Sequence, residues 1–267
     1  IYGIPKSVLP KVFPSSYNYG VCDDSVVGAA IPICGVAGDQ QSALYGHLCT
    51  RKGNVKNTYG TGCFTLMNTG DEFAVSKRGL ITTLAASMQD RRPQYVLEGS
   101  VFVGGAVLQW LRDELRLINS AKEADELSAQ VPDTNGVYIV PAFVGLGAPH
   151  WDANARGTVV GLTRGVKKEH FVRAALESIA YQVFDVVHAM ENDINKKITA
   201  LAVDGGASVS DILMQFQSDI LQADVLRPPV VETTALGACY LAGLCAGIWA
   251  SEEELKKQIA NGKKFSP

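Results

Sequence analysis

The alternation of apolar and polar residues predicts most of the elements of this chain. Residues 31–37 (Ile-Pro-Ile-Cys-Gly-Val-Ala) form an apolar run that breaks at Gly38, the pattern of a buried strand, and 41–48 suit a short helix. The segments 55–59, 63–68, 80–86 and 94–98 have the two-residue period of strands. Turn signals such as Asn68-Thr-Gly-Asp-Glu and Arg91-Arg-Pro separate them, which predicts an antiparallel meander. The period changes at 101–118, where Leu108, Leu111, Leu115 and Ile118 recur at helical spacing. Ser120 followed by Glu123 predicts a capped helix over 120–129. Strands are expected at 137–143 and 157–162, on either side of a long loop at 144–156. The clearest helix covers about 167–191, with Val172, Ala175, Leu176, Ile179, Val183, Val186, Val187 and Met190 on its apolar face. The last third reads as strand 199–203, turn 204–208, helix 211–222, strand 224–227 and helices 233–247 and 252–260. This alternation is that of an α/β domain. Residues 1–20, with Pro5, Pro10 and Pro14, read as an extended lead-in with no core element.

Composition narrows the functional classes. At 267 residues, 47% of them apolar, the chain can bury a sizeable core. A net charge of −3 without a basic stripe argues against nucleic acid as a partner. No apolar run reaches the roughly 18 residues of a membrane span, and glycines 237, 243 and 247 mark 233–249 as a core helix. The six cysteines include no Cys-x-x-Cys pair and are expected to be reduced and buried, as in a cytoplasmic protein. The four histidines lack metal-ligand spacing, so no metal site is expected in this chain. The chain starts without Met and stops at Lys-Phe-Ser-Pro (264–267), and it reads as a fragment truncated at its C-terminal end.

Two short stretches carry candidate chemistry. Gly38-Asp39-Gln40-Gln41 presents a carboxylate beside two amides, and Gly60-Thr61-Gly62 is a tight turn between two strands. A carboxylate can take a proton from an alcohol while backbone amides and a threonine hydroxyl hold a phosphate under transfer. Both stretches are equally compatible with ordinary β-turns. Local pattern leaves the two readings open.

Longer strings resemble the FGGY carbohydrate kinase family, in particular its glycerol kinases. These are Gly-Asp-Gln-Gln-Ser-Ala-Leu (38–44), Lys-Asn-Thr-Tyr-Gly-Thr-Gly-Cys-Phe (56–64), Val-Pro-Ala-Phe-Val-Gly-Leu-Gly-Ala-Pro-His-Trp (140–151) and Val-Asp-Gly-Gly-Ala (203–207). The resemblance covers nearly the whole chain but only the C-terminal half of such an enzyme. It implies a ribonuclease-H-like (actin-like ATPase) fold, a mixed sheet flanked by helices, with 1–20 following an N-terminal domain and 21–267 forming the ATP-binding C-terminal domain. The implied reaction is transfer of the γ-phosphoryl of ATP to glycerol, assisted by Mg²⁺.

In the implied site Asp39 is the catalytic base, and Asp39, Gln40 and Phe64 hold glycerol. Gly60, Thr61 and Gly62 face the phosphates. Gly105, Gln109, Gly205 and Gly206 line the adenosine side, Gly206 because a β-carbon there would clash with the nucleotide. Ser210 stands where the family commonly has Asn, so a bridging water or a looser purine contact is expected. The N-terminal domain would supply a second phosphate loop and the carboxylate linked to Mg²⁺, so the half alone is expected to be inactive. A homo-oligomer is implied for the full-length enzyme. The competing expectations are a pentulose or gluconate kinase of the same family and a non-catalytic actin-like nucleotide switch.

Overall fold

The computed structural model describes residues 3–89, 91–259 and 261–267. Strand β1 (Ser16–Val21) pairs antiparallel with β2 (Pro32–Gly35), and a one-turn helix α1 (Asp24–Val27) lies between them. The predicted lead-in therefore donates a strand, and a boundary after residue 20 falls inside β1. Helix α2 (Asp39–Gly46) starts two residues earlier than the apolar pattern predicts, with Gly38 at its N-cap.

Strands β3 (Val55–Tyr59), β4 (Cys63–Gly70), β5 (Ile81–Leu84) and β6 (Tyr95–Val101) are antiparallel neighbours, but not in sequential order. β6 inserts between β4 and β5. The reason lies in burial: β6 buries alternate residues against the core, whereas no residue of β5 is buried, so β5 takes the edge. The expected helix at 101–118 is shorter, α3 (Ala106–Asp113). Val101 completes β6, and the chain bends at Gly104, where a β-carbon would come within 2.9 Å of the Gly62 carbonyl carbon. Helix α4 (Ala121–Ser128) is capped as predicted, with the Ser120 hydroxyl accepting from the Glu123 amide at 3.2 Å. The strands expected at 137–143 and 157–162 shrink to β7 (Tyr138–Val140) and β8 (Thr158–Val160), paired in a small separate sheet.

Helix α5 (Lys168–Ile194) is followed by β9 (Ala200–Asp204), α6 (Asp211–Leu221), β10 (Asp224–Arg227), α7 (Thr233–Cys245), α8 (Glu252–Ile259) and β11 (Lys263–Phe265). The strand β11 lacks a pattern long enough to predict. The expected helix at 252–260 reaches Ile259, and Ala260, like Ile1 and Tyr2 of the lead-in, lies outside the described residues.

The main sheet has seven strands in the order β11-β10-β9-β3-β4-β6-β5 and is mixed. β9 runs parallel to both β3 and β10, and the remaining pairs are antiparallel. One face packs on α5 through Tyr59, Met67, Leu97, Leu176, Val183, Val186 and Leu201. The opposite face meets α2, with Leu44 and Cys49 against Leu66 and Val96. Of the six cysteines, Cys34, Cys49 and Cys63 are buried and all are free thiols, but Cys239 is exposed on α7, which corrects the expectation that all are buried.

Candidate active site

The candidate site has two parts at the C-terminal ends of the parallel strands β3 and β9, where open α/β sheets place their ligands: an acceptor patch on the α2 side of the sheet, and a cavity lined by the α3–α4 layer and the start of α6. Asp39 begins α2. Its Oδ1 accepts the Gln40 amide at 2.8 Å, so one carboxylate oxygen is fixed at a helix N-terminus. The residue is exposed, which leaves the carboxylate open to a ligand. Gln40 reaches down to the sheet, where its Oε1 accepts from Lys56 Nζ at 2.5 Å. The same ammonium donates to Thr58 Oγ1 at 2.7 Å and to the Phe64 carbonyl at 3.4 Å. Thr58 and Phe64 are directly opposite across the β3–β4 ladder, and Phe64 keeps 37% of its surface exposed above that floor. The three residues expected to hold the alcohol are thus tied into one patch, through a lysine the sequence reading did not single out.

The hairpin Gly60-Thr61-Gly62 closes on itself, the Gly60 amide donating to the Gly62 carbonyl at 2.9 Å. Its carbonyls face the start of α3: Gly105 N–H donates to Gly60 O at 2.9 Å, and Gly104 N–H to Thr61 O at 2.8 Å. A β-carbon at Gly105 would come within 2.9 Å of the Gly60 oxygen, so glycine is what permits this approach. Thr61 is exposed, and its hydroxyl has no hydrogen-bond partner among the described residues.

Beside the hairpin lies a cavity of about 530 Å³. Its lining brings together Gly60, Thr61, Gly105, Gln109, Gly206 and Ser210, six of the eight positions expected on the nucleotide side. Gly62 and Gly205 stand outside it. Gly205 has φ +86°, and a β-carbon there would meet the Tyr59 backbone at 2.6 Å, so its glycine serves the packing of β9 against β3. At Gly206 a β-carbon would meet nothing within 4 Å of protein and would project into open space.

Ser210 caps α6, its Oγ accepting the Leu213 amide at 3.1 Å and donating its proton to Asp125 Oδ1 at 2.5 Å. The hydroxyl therefore has no donor left for a base. Burial raises the Asp125 carboxyl, and the Ser210 bond opposes that rise. Arg112, Lys122 and Asp125, also in the lining, are charged residues on α3 and α4 that local sequence gave no reason to select.

Between the two areas, Asp204 ends β9 with its Oδ2 2.7 Å from His47 Nε2 and 2.5 Å from Thr233 Oγ1. Burial pushes its carboxyl up, but His47, Lys56 and Thr233 together hold it below the usual carboxylate value. This triad ties the end of α2 and the start of α7 to the strand that precedes Gly205.

Comparison with known proteins places these features. Residues 55–246 match the family profile described as the FGGY family of carbohydrate kinases, C-terminal domain. A glycerol kinase of Clostridium botulinum is 58% identical over the whole chain, and glycerol kinase 1 of Clostridium tetani is 57% identical over 264 residues. In each case the chain spans about half the relative, 53% of its length. Among solved structures, Plasmodium falciparum glycerol kinase with ADP superposes with a TM-score of 0.91 at 38% identity, over 97% of this chain and 52% of that one. A Lactobacillus acidophilus gluconate kinase superposes with a TM-score of 0.84 at 23% identity, over 99% of this chain and 54% of that one, a likeness of fold alone. The chain belongs to the FGGY family of carbohydrate kinases, as its C-terminal domain in the actin-like ATPase fold.

Proposed function

We propose that this chain is the nucleotide-binding, base-carrying half of a glycerol kinase, which moves the γ-phosphoryl group of ATP to a terminal hydroxyl of glycerol. The observation that carries the reading is how the two areas meet around the C-terminal end of strand β3. Asp39, Gln40 and Phe64 converge on one patch, and the Thr61 hairpin and its cavity lie at the end of the same strand β3. The 58% identity to a glycerol kinase favours glycerol over a pentulose or gluconate as the acceptor.

The residues fit a nucleotide. The cavity is of the size of ligand sites in general, and the bare Gly206 leaves its wall flat. Arg112, paired with Asp113, and Lys122, near Glu126, stand at the lining, and the Thr61 hydroxyl is free to donate to phosphate oxygen. Mg²⁺ bound to the triphosphate would neutralise its charge, and the carboxylate linked to it belongs in this reading to an N-terminal domain.

In the transfer, Asp39 accepts the proton of the attacking hydroxyl as the new O–P bond forms, and the bond from the γ-phosphorus to the bridging oxygen breaks. Gln40 orients that hydroxyl, and Phe64 covers the carbon face of the polyol. Half a cleft does not exclude water, so the isolated chain is expected to turn over poorly. The test is Asp39→Asn in the two-domain enzyme that carries this chain. A kinase loses phosphoryl transfer to glycerol and keeps nucleotide binding. Unchanged transfer by the variant would overturn the assignment of the base, and a wild-type enzyme that phosphorylates xylulose or gluconate in preference to glycerol would overturn the substrate.

A further inference from the structure

The ladder row through the middle of the sheet aligns Ala202, Lys56, Leu66 and Glu98 on the face toward α2, since directly paired residues point to the same side. A lysine at the centre of such a row is unusual, because Lys56 is wholly buried. Its ammonium has three hydrogens, and three neutral oxygens receive them: Gln40 Oε1, Thr58 Oγ1 and the Phe64 carbonyl. A buried cation without a directly bonded carboxylate is costly to keep unless it does something that a neutral residue cannot.

The geometry points to Lys56 as the positioning residue that fixes the hydrogen-bonding polarity of the alcohol site, a role that rests on the glycerol kinase reading. An ammonium donates and never accepts. It therefore settles which way the Gln40 amide lies: the carbonyl oxygen faces the sheet, and the NH₂ group faces the cleft. The same bond occupies an acceptor position of Thr58, leaving its hydroxyl proton free for the cleft. The site then offers donors from Gln40 and Thr58 and an acceptor from Asp39. A substrate hydroxyl must accept from the amide, so its own proton is left for the Asp39 carboxylate. One buried charge thus aligns the alcohol in the direction the transfer needs. Without it the amide can flip, and a flipped amide oxygen would compete with Asp39 for that proton.

The electrostatic surroundings agree with this placement. Burial lowers the Lys56 ammonium to about 8, and the carboxylates of Asp204, Glu98 and Asp39 work against that drop. The ionisable groups that face it are Asp39 from α2, Cys49 just after α2, Glu98 from β6 and Asp204, itself bound to His47, from β9. Burial pushes Cys49 up to about 12, so the thiol stays neutral while the lysine titrates.

The experiment uses the two-domain enzyme that carries this chain and compares Lys56→Met, Gln40→Ala and the double variant. Lys56→Met is expected to raise the KM for glycerol about tenfold and to leave the KM for ATP within about twofold. Because the lysine acts mainly through the amide, with a smaller share through Thr58, the double variant should lose far less than the product of the two single losses. An unchanged glycerol KM, or two losses that multiply in the double variant, would overturn the proposal. A wild-type enzyme that transfers nothing to glycerol defeats the proposed function instead, before any variant is compared. Should Lys56→Met not fold, the wild-type enzyme reads the same link through pH. As the ammonium loses its proton above about 8, the glycerol KM should climb while the ATP KM stays level. A glycerol KM that is flat from about one pH unit below that value to about one above it overturns the proposal equally.

Discussion

The two faces of the seven-stranded sheet follow opposite plans. Toward α5 the strands present Tyr59, Met67, Leu97, Val101 and Leu201, and α5 answers with Leu176, Ile179, Val183, Val186 and Val187, all nearly free of solvent contact. Toward α2 the same strands present Lys56, Thr58, Phe64, Glu98 and Asp204, and the helix answers with Asp39, Gln40 and His47. Because side chains alternate along a strand, each residue of the candidate site has neighbours in the chain that serve the core. Stability and chemistry are thus woven through β3 and β4 one residue at a time, and a shift of register by one residue would exchange them.

This contrast can be broken from either side. The largest effect should come from the polar face: Asp39→Asn in the two-domain enzyme is expected to lower kcat for glycerol by about 10²–10⁴-fold, the usual weight of a general base. Its thermal unfolding should stay near that of the wild type, since the side chain is exposed and one oxygen remains to accept the Gln40 amide. From the dry face, Leu176→Ala should cost about 2–5 kcal/mol of stability by denaturant unfolding. At a temperature where that variant is folded, its KM values should match the wild type, because Leu176 touches neither candidate site. A smaller loss is expected from Gly206→Val. Its β-carbon would meet no protein within 4 Å, at a glycine in the cavity lining, so stability is expected to be retained while nucleotide affinity, read by calorimetry, falls about tenfold.

The smallest effect sharpens the comparison through pH. The folded-state ammonium of Lys56 titrates at about 8, below its ordinary value of 10.5. Between those two values the unfolded chain holds the proton that the folded chain has released, so this group makes stability rise with pH there. Below about 8 both states are protonated and the slope vanishes. Subtracting the unfolding free energy of Lys56→Met from that of the wild type should isolate a rise of less than about 1.4 kcal/mol per pH unit. A difference that falls with pH would contradict the burial of this charge.

How much of this was legible in the sequence depends on how local each feature is. Asp39 and Thr61 stand in contiguous strings with glycine turns, and Leu176 to Met190 repeat at helical spacing, so these could be read without knowing the fold. The place of β6 between β4 and β5 could not, since strand order depends on which strand is the more buried. Lys56 was hidden for the opposite reason. A lysine that alternates with apolar residues reads as the solvent face of a strand, and only the packing of α2 above it turns that face inward. Ser210 was expected to allow a bridging water or a looser purine contact, and neither alternative pointed to the partner its hydroxyl has in the fold. That hydroxyl is committed to Asp125, 85 residues away, which no local pattern names.

The contact between α2 and α7 has one more consequence. A β-carbon on Gly237 would lie 1.8 Å from the Ser42 carbonyl oxygen, and one on Gly46 would lie 2.3 Å from that of Thr233, so the two backbones touch with no side chain between them. Rods in such bare contact cannot slide or roll without colliding. The helix that begins at Asp39 is thus seated on α7 by backbone contact, and the Asp39 carboxylate is placed by that seat and by the Gln40 amide it accepts.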